Sequence, residues 1–285
     1  MMPNIPIINA ATEIVKANTT ALYQDAAQPS VRVVGRSLAQ CTSLFVTPIG
    51  RMAEIFEKNI QRYLDKLEGL KEVQLVSPDT RILVPVLEKM RFTSEEKVAE
   101  YYAEILATAS KKETASKVMV TFIEILNRLS ADEIKILEFI NSSNNFVMVG
   151  DFTEKELSTF DLLTDTKKLT LKGSLPVVDI NLHTTDKTGY MTLVRNFNYI
   201  REKISLDYPS NLEPYLDNTI SLGLLEREFS RMFAIPKIYG CLEKHSTVEK
   251  MKKGLGPNQR IELERGRLDV TNLGKKLLIL CSPKK

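Results

Sequence analysis

Asn211–Leu225 (NLEPYLDNTISLGLL) and Arg260–Cys281 (RIELERGRLDVTNLGKKLLILC) decide how this chain is read. The first has apolar residues at helical spacing and meets a glycine stop at Gly223. The second reads as strand, two-residue turn, strand and closing helix. The turn is Arg265-Gly266, where glycine can take the positive φ of a tight hairpin. Upstream, Ser130–Ile140 (SADEIKILEFI) opens a short apolar helix. Helix, helix, glycine stop, hairpin wing and closing helix is the order of a winged helix-turn-helix. Such a fold usually binds nucleic acid or protein, and rarely does chemistry.

The segments around this unit fill in the rest. Thr153–Glu156 has capping-box spacing and opens a middle helix to about Leu163. Leu169–Val194 is rich in β-branched residues and punctuated by Gly173, Pro176 and Gly189, so a β-hairpin is predicted. Arg195–Ile204 reads as a short helix, Leu224–Phe229 as a strand joining the sheet, and Ile235–Lys253 as a helix inserted before the wing.

Before Ser130 the pattern is helical throughout. Helices are predicted over Ile8–Gln28, Ser30–Val46, Pro48–Leu70 and Asp79–Met90, the last kinked or split by Pro85. A capping box at Thr93-Ser94-Glu95-Glu96 opens a very apolar helix, and Thr114–Leu129 follows as another. An apolar stripe runs through Val31, Val34, Leu38, Cys41, Phe45, Ile49, Met52, Phe56, Ile60, Tyr63 and Leu67. It is read as a core face or as a partner seam, carried by Val34, Leu38, Phe45, Ile49, Met52, Phe56 and Ile60. Its polar side lacks the dense Lys and Arg of an interfacial membrane helix, and no run of about 18 apolar residues is present.

The expected fold is therefore mainly α with an α+β part. A multi-helix domain spans residues 1–128. A winged-helix-like domain spans 129–285, with a β-rich insertion at about 167–195.

Charge is unevenly placed. Residues 226–285 hold 14 of the 39 Lys+Arg and 7 of the 36 Asp+Glu. The first 225 residues are net acidic, so the C-terminal end is the one that would draw phosphates. Cys41, Cys241 and Cys281 are far apart and odd in number, without CxxC spacing, and suggest reduced thiols in a cytoplasmic protein. The two histidines, His183 and His245, stand apart from any ligand cluster, so no metal or cofactor is expected. Gly254-Leu255-Gly256 lacks the strand, Lys and Ser/Thr of a phosphate loop. No catalytic motif is found.

The middle of the chain resembles a known family. Pro85-Val86-Leu87-Glu88, Ala103-Glu104-Ile105-Leu106-Ala107 and Leu129-Ser130-Ala131-Asp132-Glu133 stand in the order found in the Abi-alpha family, bacterial proteins associated by name with abortive infection. Asn218–Leu225 and Leu268–Gly274 also look like it. The resemblance runs from about Leu22 onward. It implies a role in phage defence and carries over no catalytic residues.

Three functional expectations follow. The favoured one is a non-enzymatic defence protein acting on protein partners, or associating with itself, through its N-terminal helices. The second is a nucleic-acid-binding regulator gripping phosphates with Lys250, Lys252, Lys253, Arg260, Arg265 and Arg267. In that case the Asn211–Leu222 helix, with Glu213 and Asp217 and no cation, would not read bases. The third, least favoured, is a toxin that disturbs membranes through Val31–Leu67.

Overall fold

The computed structural model describes residues 51–142, 144–148, 168–185 and 189–282. Helices and sheet are both present. The described residues fall into two compact units, one within Met1–Ala131 and Leu277–Lys285, the other within Asp132–Lys276. The expected helices over Ile8–Gln28, Ser30–Val46 and Thr153–Leu163 lie outside the described residues.

The first unit holds α1 (Arg51–Asp65), α2 (Thr80–Met90), α3 (Glu96–Ala109) and α4 (Val120–Leu126). α3 is its centre. Every residue from Val98 to Ala109 except Glu100 is buried. α1 packs beside it and buries Ile60 and Tyr63, with Leu67 just beyond the helix end. Glu104 is buried and is tolerated there because Lys66 Nζ lies 3.1 Å from its Oε2.

Both ends of α2 are closed by side chains. Asp79 caps α2 by accepting from the Arg81 amide at 2.8 Å. At the other end the buried Asn59 amide donates to the Met90 and Thr93 carbonyls, at 2.8 and 2.9 Å. The Met90 carbonyl would otherwise be an orphan of the helix terminus, and the Thr93 carbonyl belongs to the connection that follows. α2 runs through Pro85 as one helix. The proline is in the middle of the helix, where it has no N–H to give the Arg81 carbonyl, and the expected split does not occur.

Two local expectations fail here. Thr93 does not cap α3: its hydroxyl donates back to the Lys89 carbonyl at 2.8 Å. The connection between α2 and α3 is so short that this residue serves the end of one helix rather than the start of the next. Nor is Thr114–Leu129 a single helix. A 3₁₀ turn at Ala115–Lys117 precedes extended backbone at Val118 and Met119, and α4 starts at Val120.

The second unit begins with α5 (Ala131–Asn141) and a small pair of strands, β1 (Phe146–Met148) and β2 (Lys168–Thr170). Then come β3 (Ser174–Thr184), β4 (Tyr190–Phe197), α6 (Ile200–Lys203), α7 (Leu212–Ser221) and β5 (Leu225–Glu228). α8 (Gly240–Glu243), α9 (Ser246–Lys253), β6 (Gln259–Val270) and α10 (Asn272–Cys281) complete it, and the last helix ends in the first unit. The four-stranded sheet has the order β4-β3-β6-β5 and is antiparallel throughout. β3 and β4 form the expected hairpin.

The expected wing turn is absent. Arg265 and Gly266 lie in the middle of β6, opposite Val178 and Val177 of β3. Gly266 is also not among the residues with positive φ. Its small size answers a different need. A Cβ there would meet the Phe229 ring at 2.8 Å and the Glu228 carbonyl at 3.0 Å.

Gly223 stops α7 as the sequence suggests. It takes φ 70°, its amide bonds the Ile220 carbonyl at 2.9 Å, and the Leu224 amide bonds the Thr219 carbonyl at 3.0 Å. That pair of bonds is a Schellman closure. The start of α10 is seated on the same turn. Thr271 caps it by accepting from the Gly274 amide at 3.0 Å, while its hydroxyl donates to the Gly223 carbonyl at 2.6 Å.

Asn145 is the polar centre of this unit and is fully buried. Its Nδ2 donates to the carbonyls of Ile140, Leu171 and Ser174, at 3.0, 2.9 and 2.6 Å. Its Oδ1 accepts from the Tyr199 hydroxyl at 2.8 Å. One side chain thus ties the end of α5 to the entry of β3.

Buried phenols and a buried thiol make the fold sensitive to alkali. Burial pushes the Tyr63 and Tyr199 hydroxyls far above their ordinary value and Tyr102 up to about 12. It raises the Cys281 thiol too. These groups stay neutral in the folded chain and ionise at ordinary pH values once it unfolds. Their contribution is therefore complete below the unfolded pKa and is lost as pH rises past it. The unfolding free energy from urea titration should stay level from pH 7 to about 8 and fall increasingly up to pH 11, approaching about 1.4 kcal/mol per pH unit for each fully buried group. A level profile to pH 11 would contradict this burial.

Candidate functional site

The basic C-terminal end was the strongest sequence candidate, and the structure disperses it. Lys250, Lys252 and Lys253 share the last turn of α9 and are solvent-exposed. Cations there also complement the helix dipole. Lys252 is 2.9 Å from Glu249. Arg260, at the start of β6, is 71% exposed in its side chain and lies 4.0 Å from Glu262.

Arg265 and Arg267 are held within the fold. Arg265 forks onto Glu243, with Nε 2.6 Å from Oε1 and Nη2 3.1 Å from Oε2. Its guanidinium also lies 5.3 Å from the centre of the Tyr239 ring. The hydrogen bond to Glu243 raises its pKa further. Tyr239 is buried and donates to the Gly266 carbonyl at 3.1 Å, so this cluster locks the connection before α9 onto β6. Arg267 Nε is 2.8 Å from Asp269 Oδ2. Alternation along β6 places Arg265 and Arg267 on one face and Arg260 on the other.

α7, which would enter the groove in a DNA-reading winged helix, presents Glu213 and Asp217 to solvent. Asn218 is turned to Glu133, donating to its Oε1 at 2.6 Å. The acidic pair at four-residue spacing shares one face, which repels phosphates.

The residues named as a partner seam divide. Val34, Leu38, Phe45 and Ile49 lie outside the described residues. Met52 and Phe56 are half-buried on α1, and Ile60 is core.

Asp132, His183 and His245 have structural partners. Asp132 accepts from the amides of Asp207 and Tyr208, at 2.9 and 2.8 Å, and pairs with Lys135 at 3.0 Å. Burial pushes its carboxyl up, but these partners outweigh it and hold the group below its ordinary range. His183 stands 2.9 Å from Glu262. His245 caps α9, accepting from the Thr247 amide on Nδ1 at 3.2 Å. Cys281 is buried, and that burial raises its thiol away from the nucleophilic thiolate form. The Cys241 thiol is raised as well, although the residue is exposed. Among the described residues no group of three or more His, Cys, Asp or Glu is placed to hold a metal ion. No described helix is long and apolar enough to cross a membrane.

Sequence reading missed Asn145 and Asp132. Asn145 sits in a run of Ser and Asn that signals a loop and nothing more. Asp132 looks like one acid of a helix start, and its bonds to residues 207 and 208 have no local signature.

No curated protein and no solved structure matches this chain. The family model for abortive infection alpha matches residues 52–281. The matched span includes the features described above: the Asn59 clasp on α2, the buried α3, the Schellman turn at Gly223 and the cap at Thr271. This chain belongs to the abortive infection alpha family.

Proposed function

We propose that this chain is a non-enzymatic phage-defence protein that works through contacts with protein partners. Membership of the abortive infection alpha family implies a role in phage defence in general. The preference for protein contacts rests on the fate of the basic end. Arg265 and Arg267, expected at a wing tip, are mid-strand and engaged by Glu243 and Asp269. The helix that would face a major groove carries two exposed carboxylates. The non-enzymatic reading is supported by Asp132, Glu104 and Glu133, whose hydrogen bonds or ion pairs join separate elements of the fold.

In this reading the N-terminal helices supply the partner surface and the C-terminal part is scaffold or sensor. The order α7, β5, β6, α10 supports a winged-helix relationship. Residues 229–258, with α8 and α9, stand where a wing would connect the two strands. A membrane role is disfavoured, because the described end of the apolar stripe, Ile60, Tyr63 and Leu67, is core.

The second reading, nucleic-acid binding, keeps one support: Lys250, Lys253 and Arg260 are exposed. Phage plating on bacterial cells carrying the chain separates the two. Changing these three residues to Gln together should leave protection intact. Loss of protection, accompanied by loss of duplex DNA binding whose salt slope falls by about 0.9 per contact, would favour the nucleic-acid reading.

A further inference from the structure

His245 meets three elements of the second unit and uses both ring nitrogens. It is the residue just before α9, and its backbone is extended. Its Nδ1 accepts from the Thr247 amide at 3.2 Å. Its Nε2 stands 3.5 Å from Glu202 Oε1 on α6. Its ring meets Phe197, the last residue of β4, edge to face at 5.2 Å.

Helix caps are usually Ser, Thr, Asp or Asn, whose side-chain oxygens accept throughout the neutral range. Imidazole accepts only at a nitrogen that carries no proton. The Thr247 bond therefore requires a neutral His245 whose one proton is on Nε2, toward Glu202. A second proton would go to Nδ1 and set two N–H donors against each other. The ring would also become a cation at a helix N-terminus, where the helix dipole opposes it. The same proton strengthens the attraction to Glu202. One side chain thus has two incompatible best partners, and its charge selects between them.

The other ionisable groups on these elements are engaged, neutral or exposed. Lys203 stands over the Phe146 ring at 4.5 Å, Glu243 is held by Arg265, and Glu249 by Lys252. The Cys241 thiol is raised and stays uncharged where histidine titrates. Arg195, Arg201 and Lys244 are exposed.

We infer that His245 is a proton-operated cap. Neutral, it closes the first turn of α9. Charged, it turns to Glu202 and lets that turn open. Histidine changes charge between about pH 5 and 8, so the device works in the physiological range. It controls the helix that buries Val248 and carries the exposed Lys250, Lys252 and Lys253. The inference is independent of the functional reading above.

Amide hydrogen exchange of the full chain tests this, read by NMR at about pH 5.5 and about pH 7.5 and corrected for intrinsic rates. At the higher pH the His245 ring should show the Nε2–H tautomer. At the lower pH the Thr247 amide should open about fivefold more, the change expected for loss of a cap. His245→Asn caps without titrating and should protect Thr247 equally at both. His245→Ala should leave it open at both. Glu202→Gln removes the partner of the charged form and should move the opening to lower pH. His245→Ser stands in if the Asn variant fails to fold. Equal wild-type protection at the two pH values would overturn the proposal. So would an Nδ1–H tautomer at the higher pH, a full pH dependence in the Asn or Ser variant, or an opening that Glu202→Gln does not move.

Discussion

Gly274→Ala is expected to lower stability, even though alanine ordinarily gains about 1 kcal/mol over glycine inside a helix. The reason is the seat of α10 on the Schellman turn. A Cβ at residue 274 would stand 2.5 Å from the Leu224 carbonyl oxygen and 2.9 Å from Val270 Cγ1. The carbonyl is backbone and accepts from the Thr271 amide at 3.0 Å, so it cannot withdraw without cost. Overpacking of this kind costs about 1–3 kcal/mol after partial relaxation. The loss should appear as a fall in Tm of about 3–8 °C, and Gly274→Val should lose more. A Tm that rises on Gly274→Ala would mean that propensity wins and that α10 does not sit against Leu224.

Asn145→Ala carries the second large effect. The substitution removes one acceptor and the donors to three carbonyls, and leaves the Tyr199 hydroxyl and those carbonyls without their partner. Unsatisfied buried groups cost about 1–3 kcal/mol each, and partial relaxation lets in some water, so a total loss of about 3–4 kcal/mol is expected. Tyr199→Phe removes only the hydroxyl bond and should cost about 1 kcal/mol. Asn144→Ala, one residue away and exposed, should be nearly neutral. Urea denaturation of the three variants reads the order directly. Equal effects at 144 and 145 would remove Asn145 from the centre of the unit.

Features encoded by a single residue or a local period were legible in the sequence. Gly223 announced the end of α7, the β-branched run announced the β3–β4 hairpin, and Thr271 to Cys281 closed as a helix. The failure at Gly266 has a clear physical cause. Along β6 the apolar residues change parity: Ile261 and Leu263 lie on one face, Leu268 and Val270 on the other. A change of parity with a glycine between looks like two strands and a turn. In the folded chain it is one strand whose buried face changes along its length, and the glycine makes room for Phe229 and Glu228. The candidate site was less legible. Lys250, Lys252 and Lys253 are exposed as expected, but the partners of Arg265 and Arg267 depend on Glu243 and on β6 being continuous. Neither is visible in the pattern of charges.

Phage plating tests the central claim, defence through contacts and without chemistry. Cells carrying wild type, Cys241→Ser, His183→Gln or the Lys250, Lys253 and Arg260 triple Gln variant should be protected alike, since none of these side chains is assigned a chemical step or a phosphate contact. Loss of protection in a Cys241→Ser or His183→Gln protein that keeps the wild-type Tm would contradict the account and point to an active site.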